Sequence, residues 1–306
     1  MCLTGRRVTV NMPPMRAPAN GIELEYETFG DPEDPPLLLV MGLGAQMIWI
    51  HPDFCQDLVD RGFFVIRFDN RDIGLSTRIT DHHIDVLASI TGLLHGDDVE
   101  APYTLLDMAA DAWGLCDHLG LDRVHLFGVS LGGMIVQQMA IGSPQRVASL
   151  TSLMSTTGDP DVGQPTPEAL VALIAPAPPE REAYLEQALV NGRILAGDEH
   201  IDEDWILERN GLAFDRGLNP DGSAAQLLAL LVSPSRSAGL RSIDVPALVI
   251  HGEIDPLITI SGGERTAECL QGSEFLRLEG MGHDLPRYYW APVIHHVVAL
   301  AARSAV

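Results

Sequence analysis

Cysteine is scarce and scattered in this sequence: Cys2, Cys55, Cys116 and Cys269 are the only four in 306 residues, and no two form a C-x-x-C pair. Neither a zinc site nor a disulfide framework is suggested by such spacing, and reduced thiols are expected. Cys55 and Cys116 fall in segments read as helices, where a small buried hydrophobe is the ordinary role. Long apolar runs are missing too: none reaches the roughly 18 residues that a membrane span needs. The start, MCLTGRRVTVNMPPM, carries basic residues with no apolar stretch behind them, so no signal peptide is expected and the cytoplasm is the default location. Positive charge is the third scarcity, 19 Lys+Arg against 42 Asp+Glu, a formal net charge of −23. A field of that sign repels nucleic-acid phosphates and anionic lipid surfaces alike, so neither is an expected partner. The acids are dispersed rather than gathered in a tail, which reads as a well-solvated surface and says nothing about chemistry.

What is abundant is alternation. Runs of Val, Ile, Leu and Phe bounded by Gly, Pro and Asp alternate with amphipathic stretches, the pattern of parallel strands joined by crossover helices. GIELEYETFG alternates with period two and predicts a half-exposed edge strand; LLLVMG, residues 37 to 42, predicts a strand covered on both faces. DFCQDLVDRG predicts a short helix ending at Gly62, followed by the strand FFVIRFD. From Thr104 the apolar residues Leu105, Met108, Ala109, Ala112, Leu115, Cys116 and Leu119 recur at helical spacing, with Thr104 and Asp107 placed as a capping box. RVHLFGVS, RVASLTSLMST, VPALVIHGE and SEFLRLEG predict four further strands, with helices at LGGMIVQQMAIGSP, GGERTAECLQG and the closing LPRYYWAPVIHHVVALAARS. From about 158 to 236 the rhythm breaks into Pro-rich loops (GQPTPEAL, APAPPERE) and helical pieces without a strand. The expected organisation is an α/β core formed by residues 1–157 and 237–306, interrupted by a helical cap at 158–236, far longer than an ordinary loop.

Within this frame HLFGVSLGGM stands out. Ser130 ends a buried strand, opens a helix and is bracketed by Gly128 and Gly132, which is the strand-turn-helix setting of a nucleophile elbow. The turn is tight enough to strain the serine backbone and leaves no room for side chains at 128 and 132. At the helix N-terminus the free N–H groups favour an oxyanion. The plain alternative is a helix N-cap serine, which the strand before it disfavours.

A serine hydroxyl needs a base, and the base needs an orienting group. Of eleven histidines, His82, His83, His95 and His200 fall in loop-like or inserted segments, His118, His295 and His296 on helices, and His125 and His251 within strands. His283, in LEGMGHDLP, falls on a glycine-flanked loop at the carboxyl end of the last strand, the edge where open α/β sheets bind ligands. Asp255, in VIHGEIDPLI, directly follows the preceding strand. Chain order and the Asp-Pro turn favour it over Asp159, the serious rival, and over Asp69, Asp72, Glu253 and Asp284. The tetrahedral intermediate needs two aimed N–H donors: Leu131, the residue after the serine, and Leu43 in the MGLG loop, where Gly42 and Gly44 permit close approach.

Taken together, LLLVMGLG, FDNRDIGLST, GVSLGG, HGEIDP and GMGHDLP resemble the α/β-hydrolases of the serine carboxylesterase branch, over essentially the whole chain from about residue 20. VMG and RFDNRDIGLST are especially similar to the actinobacterial esterases typified by aclacinomycin methylesterase. The resemblance implies a mostly parallel central sheet flanked by helices, a cap, and a triad of Ser130, Asp255 and His283 with an oxyanion hole at Leu43 and Leu131. Two departures stand out: Met41 replaces a common histidine of the oxyanion loop and removes a polar brace, and Asp72 replaces a glycine beside Arg71, itself read as structural. The expected function is hydrolysis of carboxylic esters, short to medium in chain or small and apolar, through an acyl-enzyme. The partner is then a small-molecule ester; no metal or organic cofactor is implied, and oligomeric state is left open. Carbon–carbon or thioester hydrolysis, acyl transfer and perhydrolysis use the same triad and remain alternatives, as does a non-catalytic ligand receptor. An epoxide hydrolase or dehalogenase is disfavoured, because those carry Asp where Ser130 stands.

Overall fold

Strands β1 (Met15–Ala19), β2 (Ile22–Phe29), β3 (Pro36–Val40), β4 (Phe64–Phe68), β5 (Val124–Val129), β6 (Val147–Leu153), β7 (Ala247–Gly252) and β8 (Glu274–Leu278) join into one sheet. The computed structural model describes residues 15–79, 83–197 and 200–304, so Cys2, the basic start of the chain and His82 lie outside the described residues. The spatial order is β1-β2-β4-β3-β5-β6-β7-β8, antiparallel at β1–β2 and β2–β4 and parallel at every other pairing.

Period-two alternation sorts the core. Leu38, Val40, Ile66, Leu126 and Leu150 face α3 (Leu105–His118) and α4 (Leu131–Gly142), whereas Leu37, Leu39, Val65, Phe127 and Ile250 face α1 (Pro52–Val59) and α11 (Trp290–Ser304). The helix α10 (Ser261–Cys269) joins the first of these layers through Cys269. Cys55, Cys116 and Cys269 are all buried. Asp107 accepts from the Thr104 N–H at 2.8 Å, completing the expected capping box of α3.

Three segments differ from expectation. GIELEYETF is an interior strand, because MRAPA forms β1 outside it. Its alternating acids suggested solvent, yet Glu25 and Glu27 are buried and paired with Arg16 (3.3 Å) and Arg67 (Nε at 2.9 Å). All 19 of the Lys+Arg residues are arginine, whose fork suits such partly buried pairing. His95 ends a helix, α2 (Val86–His95), capped by the Asp85 side chain, instead of lying in a loop. The Pro-rich stretch GQPTPEAL gives α5 (Pro167–Ile174): Thr166 caps it and Pro167 occupies the first helical position, where a missing N–H costs nothing.

Four more helices, α6 (Arg181–Ala196), α7 (Glu203–Arg216), α8 (Pro220–Val232) and α9 (Ser237–Leu240), separate α5 from β7. Among them α7 is tied to the loops after β3 and β4 by polar contacts: the Gln46 side chain donates to Ala213 O at 2.9 Å, and Arg216 reaches Asp69 at 2.8 Å. Because β4 and β5 lie on opposite sides of β3, their connections leave in opposite directions and open a crevice at the carboxyl ends. The loops after β3, β5, β7 and β8 all start from that edge.

Candidate active site

Ser130 takes φ +56° and ψ −118°, between β5 and α4. That is a costly backbone for a non-glycine residue, held by four bonds: its N–H donates to Leu153 O (2.9 Å), and its carbonyl accepts from the Gly133 N–H (2.9 Å), the Met134 N–H (3.3 Å) and the Ser155 hydroxyl (2.8 Å). The flanking glycines are required sterically. A Cβ on Gly128 would lie 2.2 Å from Gly132 O, and one on Gly132 would lie 2.0 Å from Val40 O. Both obstacles are backbone, so nothing can swing aside. Gly132→Ala should therefore cost about 3 kcal/mol of stability or prevent folding, read from thermal or urea melts; a melt equal to wild type would contradict this packing.

The structure brings Ser130, His283 and Asp255 together. The Ser130 hydroxyl lies 2.9 Å from His283 Nε2, and His283 Nδ1 lies 2.7 Å from Asp255 Oδ2. Asp255 is buried and its other oxygen accepts from the Leu257 and Ile258 N–H groups, both at 2.9 Å. Burial pushes its carboxyl up, but attraction to His283 and hydrogen bonds from His251 and His283 outweigh this and leave it well below the usual carboxylate range. An ionised Asp255 can only accept, so Nδ1 of His283 carries the proton and Nε2 presents a lone pair to the serine.

His251 has a larger part than an ordinary strand histidine. It is fully buried, its Nε2–H donates to Ile258 O at 2.7 Å, and the same nitrogen lies 3.4 Å from Asp255 Oδ2. It thus shares with His283 the same carboxylate oxygen, Oδ2 of Asp255. The spacing of His251 to Asp255 in HGEID is the signal that sequence reading passed over.

The rival acids are engaged elsewhere. Asp159 accepts from Ser235, from Ser237 at 2.7 Å and from Arg265 at 2.6 Å. Asp69 binds the Met47 N–H (2.7 Å) and Arg216, and Asp284 pairs with Arg209. Asp72 has φ +67°, a backbone that glycine adopts without strain; its carboxylate recovers part of the cost by accepting from the Ile79 N–H at 2.6 Å. Arg71 is held between Asp111, at 2.5 Å, and the Tyr103 ring.

Leu43 and Leu131 follow β3 and Ser130 respectively, and neither N–H has a hydrogen-bond acceptor among the described residues. Gly42 packs directly on the serine, since a Cβ there would lie 3.3 Å from Ser130 Cβ. The brace that Met41 does not supply comes from two amides. Gln226 on α8 accepts from the Gly44 N–H at 3.0 Å and donates to Arg71 O at 2.9 Å, and the Asn70 side chain donates to Met41 O at 3.0 Å. A lone buried glutamine in the apolar run AAQLLALLV was the available signal for the first. Among the other described histidines, His125 bonds Ser149, His83 meets Asp221, His200 stacks on Tyr288 and His296 pairs with Glu274, while His51 lines the cavity that Ser130 and His283 share.

Above the serine is a cavity of about 680 Å³ whose wall combines the β3, β5 and β8 loops with residues of α5 to α8. Its wall is largely apolar, with Met134, Leu173, Leu227 and Trp205 among the contributors. The model of the α/β-hydrolase fold family matches residues 35–286.

The chain belongs to the α/β-hydrolase family.

Rhodomycin D methylesterase of Streptomyces peucetius is 28% identical over 316 aligned positions, covering 96% of this chain and all of the relative. Its counterpart in Streptomyces sp. strain C5 matches at the same identity and coverage. Among solved α/β-hydrolases, the 2-hydroxy-6-oxo-6-phenylhexa-2,4-dienoate hydrolase of Rhodococcus sp. strain RHA1 superposes with a TM-score of 0.73 at 20% identity, over 95% of this chain and all of that one. At that identity the superposition shows the fold. Among the described residues no helix is long and apolar enough to cross a membrane, and no group of three or more His, Cys, Asp or Glu side chains could hold a metal ion.

Proposed function

We propose that the protein is a serine hydrolase of carboxylic esters, acting on methyl or other small-alcohol esters of a bulky, largely apolar acid. The observation that carries this reading is the Ser130–His283–Asp255 relay, at 2.9 and 2.7 Å, on the floor of the cavity. The full-length likeness to two methylesterases supports the ester and its small alcohol. A cavity of about 680 Å³ supports the bulky acid, being several times what a short acyl chain fills.

In the reaction so proposed, Ser130 Oγ attacks the ester carbonyl as His283 Nε2 takes its proton, and Asp255 holds the imidazolium. The Leu43 and Leu131 N–H groups receive the negative charge that develops on the carbonyl oxygen. His283 then returns the proton to the departing alkoxide, leaving an acyl-enzyme. Water, deprotonated by the same nitrogen, attacks the acyl carbon and releases the acid and a regenerated serine. Residues 158–236 act as the cap that shapes the acid pocket and limits water. The steps require no co-reactant beyond water.

The test combines p-nitrophenyl esters of increasing acyl length with methanol release from methyl 2-naphthoate and methyl acetate, alongside covalent capture by a phosphonofluoridate. Hydrolysis of the p-nitrophenyl esters, preference for the naphthoate ester and a label mapped to Ser130 are expected. Absence of all ester turnover would overturn the function; turnover confined to acetyl esters would overturn the bulky acid.

A further inference from the structure

Three consecutive residues of the loop that carries the base are each bound to the inserted helices. The Gly282 N–H donates to Ala196 O at 3.1 Å and the His283 N–H donates to Leu195 O at 2.6 Å, both carbonyls belonging to the last turn of α6. The Asp284 carboxylate then receives both terminal nitrogens of Arg209 from α7, at 2.9 and 3.3 Å. Close approach is built in at Gly282, where a Cβ would lie 2.3 Å from Leu195 O. On the other side, Arg209 lies over the Trp49 ring, 4.8 Å from its centroid, and Trp49 belongs to the loop after β3. One guanidinium therefore joins three parts of the fold at the cavity wall: α7, the loop that follows β3 and the loop that follows β8.

This pattern is not what simple packing of helices on a core requires. The ion pair is mostly buried, with side-chain exposures of 10% and 13%, and its carboxylate is the immediate neighbour of the proton-transferring residue. A pair withdrawn this far from water is costly to break on one side, and its bidentate geometry fixes direction as well as distance. The 2.9 Å contact between Ser130 and His283 depends on where the loop sits, and a displacement of about 1 Å at a reacting group can cost about 100-fold in rate.

We propose that Arg209 is a positioning residue for His283, acting through Asp284, so that docking of α6 and α7 on the base-bearing loop and assembly of the serine–histidine contact are one event. The ester pocket is thereby closed in the same step that makes the serine reactive, and an undocked insertion leaves the nucleophile without an aligned base. This rests on the ester-hydrolase reading above and adds to it a role for the insertion beyond shaping the pocket.

The experiment uses Arg209→Met, Arg209→Lys and Asp284→Asn in the full chain. Its readouts are kcat and KM for a p-nitrophenyl ester, the rate of Ser130 labelling by a phosphonofluoridate too small to need the acid pocket, and the thermal melt. In Arg209→Met, kcat and the labelling rate should fall together by about 10- to 100-fold in protein that still melts cooperatively, with KM changed less than kcat. Arg209→Lys, which keeps a point charge but not the fork, should recover part of both rates, and Asp284→Asn should resemble Arg209→Met. Wild-type labelling and kcat retained in Arg209→Met, with or without a rise in KM, would overturn the positioning role. So would a loss that Arg209→Lys does not relieve. Wild-type protein that neither turns over esters nor takes the label would instead sink the ester-hydrolase reading, so the two failures are distinguishable.

Discussion

Ser130→Ala should lower kcat/KM for p-nitrophenyl esters by about a million-fold, and His283→Ala by a similar factor. The two losses should not multiply, because neither member of the relay has a function without the other: the hydroxyl is unreactive until Nε2 takes its proton, and Nε2 has nothing to deprotonate in the alanine variant. The residual rate of the double variant should equal that of either single one, sustained by the pocket and the N–H groups near Leu43 and Leu131. Ser130→Ala should also fold well. Alanine removes only the hydroxyl, and the bonds that hold residue 130 in its strained conformation are made by its backbone to Leu153, Gly133, Met134 and Ser155. A cooperative melt within a few degrees of wild type would accompany the loss of activity. A variant that kept wild-type turnover would remove Ser130 from the chemistry altogether.

The strain at this serine shows why so much of the site was legible in the sequence. Gly128, Gly132 and Gly133 lie within three residues of Ser130, so the geometry they permit is written in one short stretch, and a Cβ at any of them would meet an atom within 2.6 Å. The Asp255 loop could be placed because it follows Ala247, Leu248, Val249 and Ile250, which alternate cleanly between the two buried layers, and the His283 loop because it follows the partly buried edge strand β8, where Phe275 packs on one layer and Leu276 and Leu278 on the other. What escaped the sequence depends on partners distant in the chain. Glu25 and Glu27 gave β2 the look of an edge strand, since nothing local shows that Arg16 and Arg67 will neutralise them. The α5 helix was hidden by its own prolines, which mark a loop until one of them is recognised as a first helical residue behind a threonine cap. Gln226 and Arg209 act across 182 and 75 residues of chain respectively, and no periodicity reports such pairings. Gln226 leaves a local trace as the one amide in the apolar run of α8, whereas Arg209 falls among the other charged residues of α7 and leaves none.

Asp255→Asn and Asp159→Asn should separate the two carboxylates that the sequence left in competition. Asp255→Asn is expected to reduce kcat by about 10,000-fold with little change in KM. An amide in that place can donate to His283 Nδ1, which favours the tautomer with its proton on Nε2, and Nε2 then has no lone pair for the serine. In that orientation the amide oxygen stays at the present Oδ1 position and still accepts from the Leu257 and Ile258 N–H groups, so the loss falls on the tautomer and the fold is retained. Asp159→Asn should change kcat by less than about threefold, since its oxygens are occupied by Ser235, Ser237 and Arg265 and its bonds run to the start of α9 with the residues just before it and to α10. Its effect should fall on stability and depend on pH. Burial pushes the Asp159 carboxyl up, but hydrogen bonds from Ser235, Ser237 and Arg265 more than offset that and hold it at about 2. The folded value lies below the unfolded one of about 3.9, so the stabilisation is complete above about pH 4 and is lost as pH falls toward 2. The melting temperature of Asp159→Asn should therefore trail wild type at pH 7 and approach it at pH 3. A large kcat loss in Asp159→Asn with near-normal turnover in Asp255→Asn would transfer the orienting role to the other strand end, and with it the assignment of the acid.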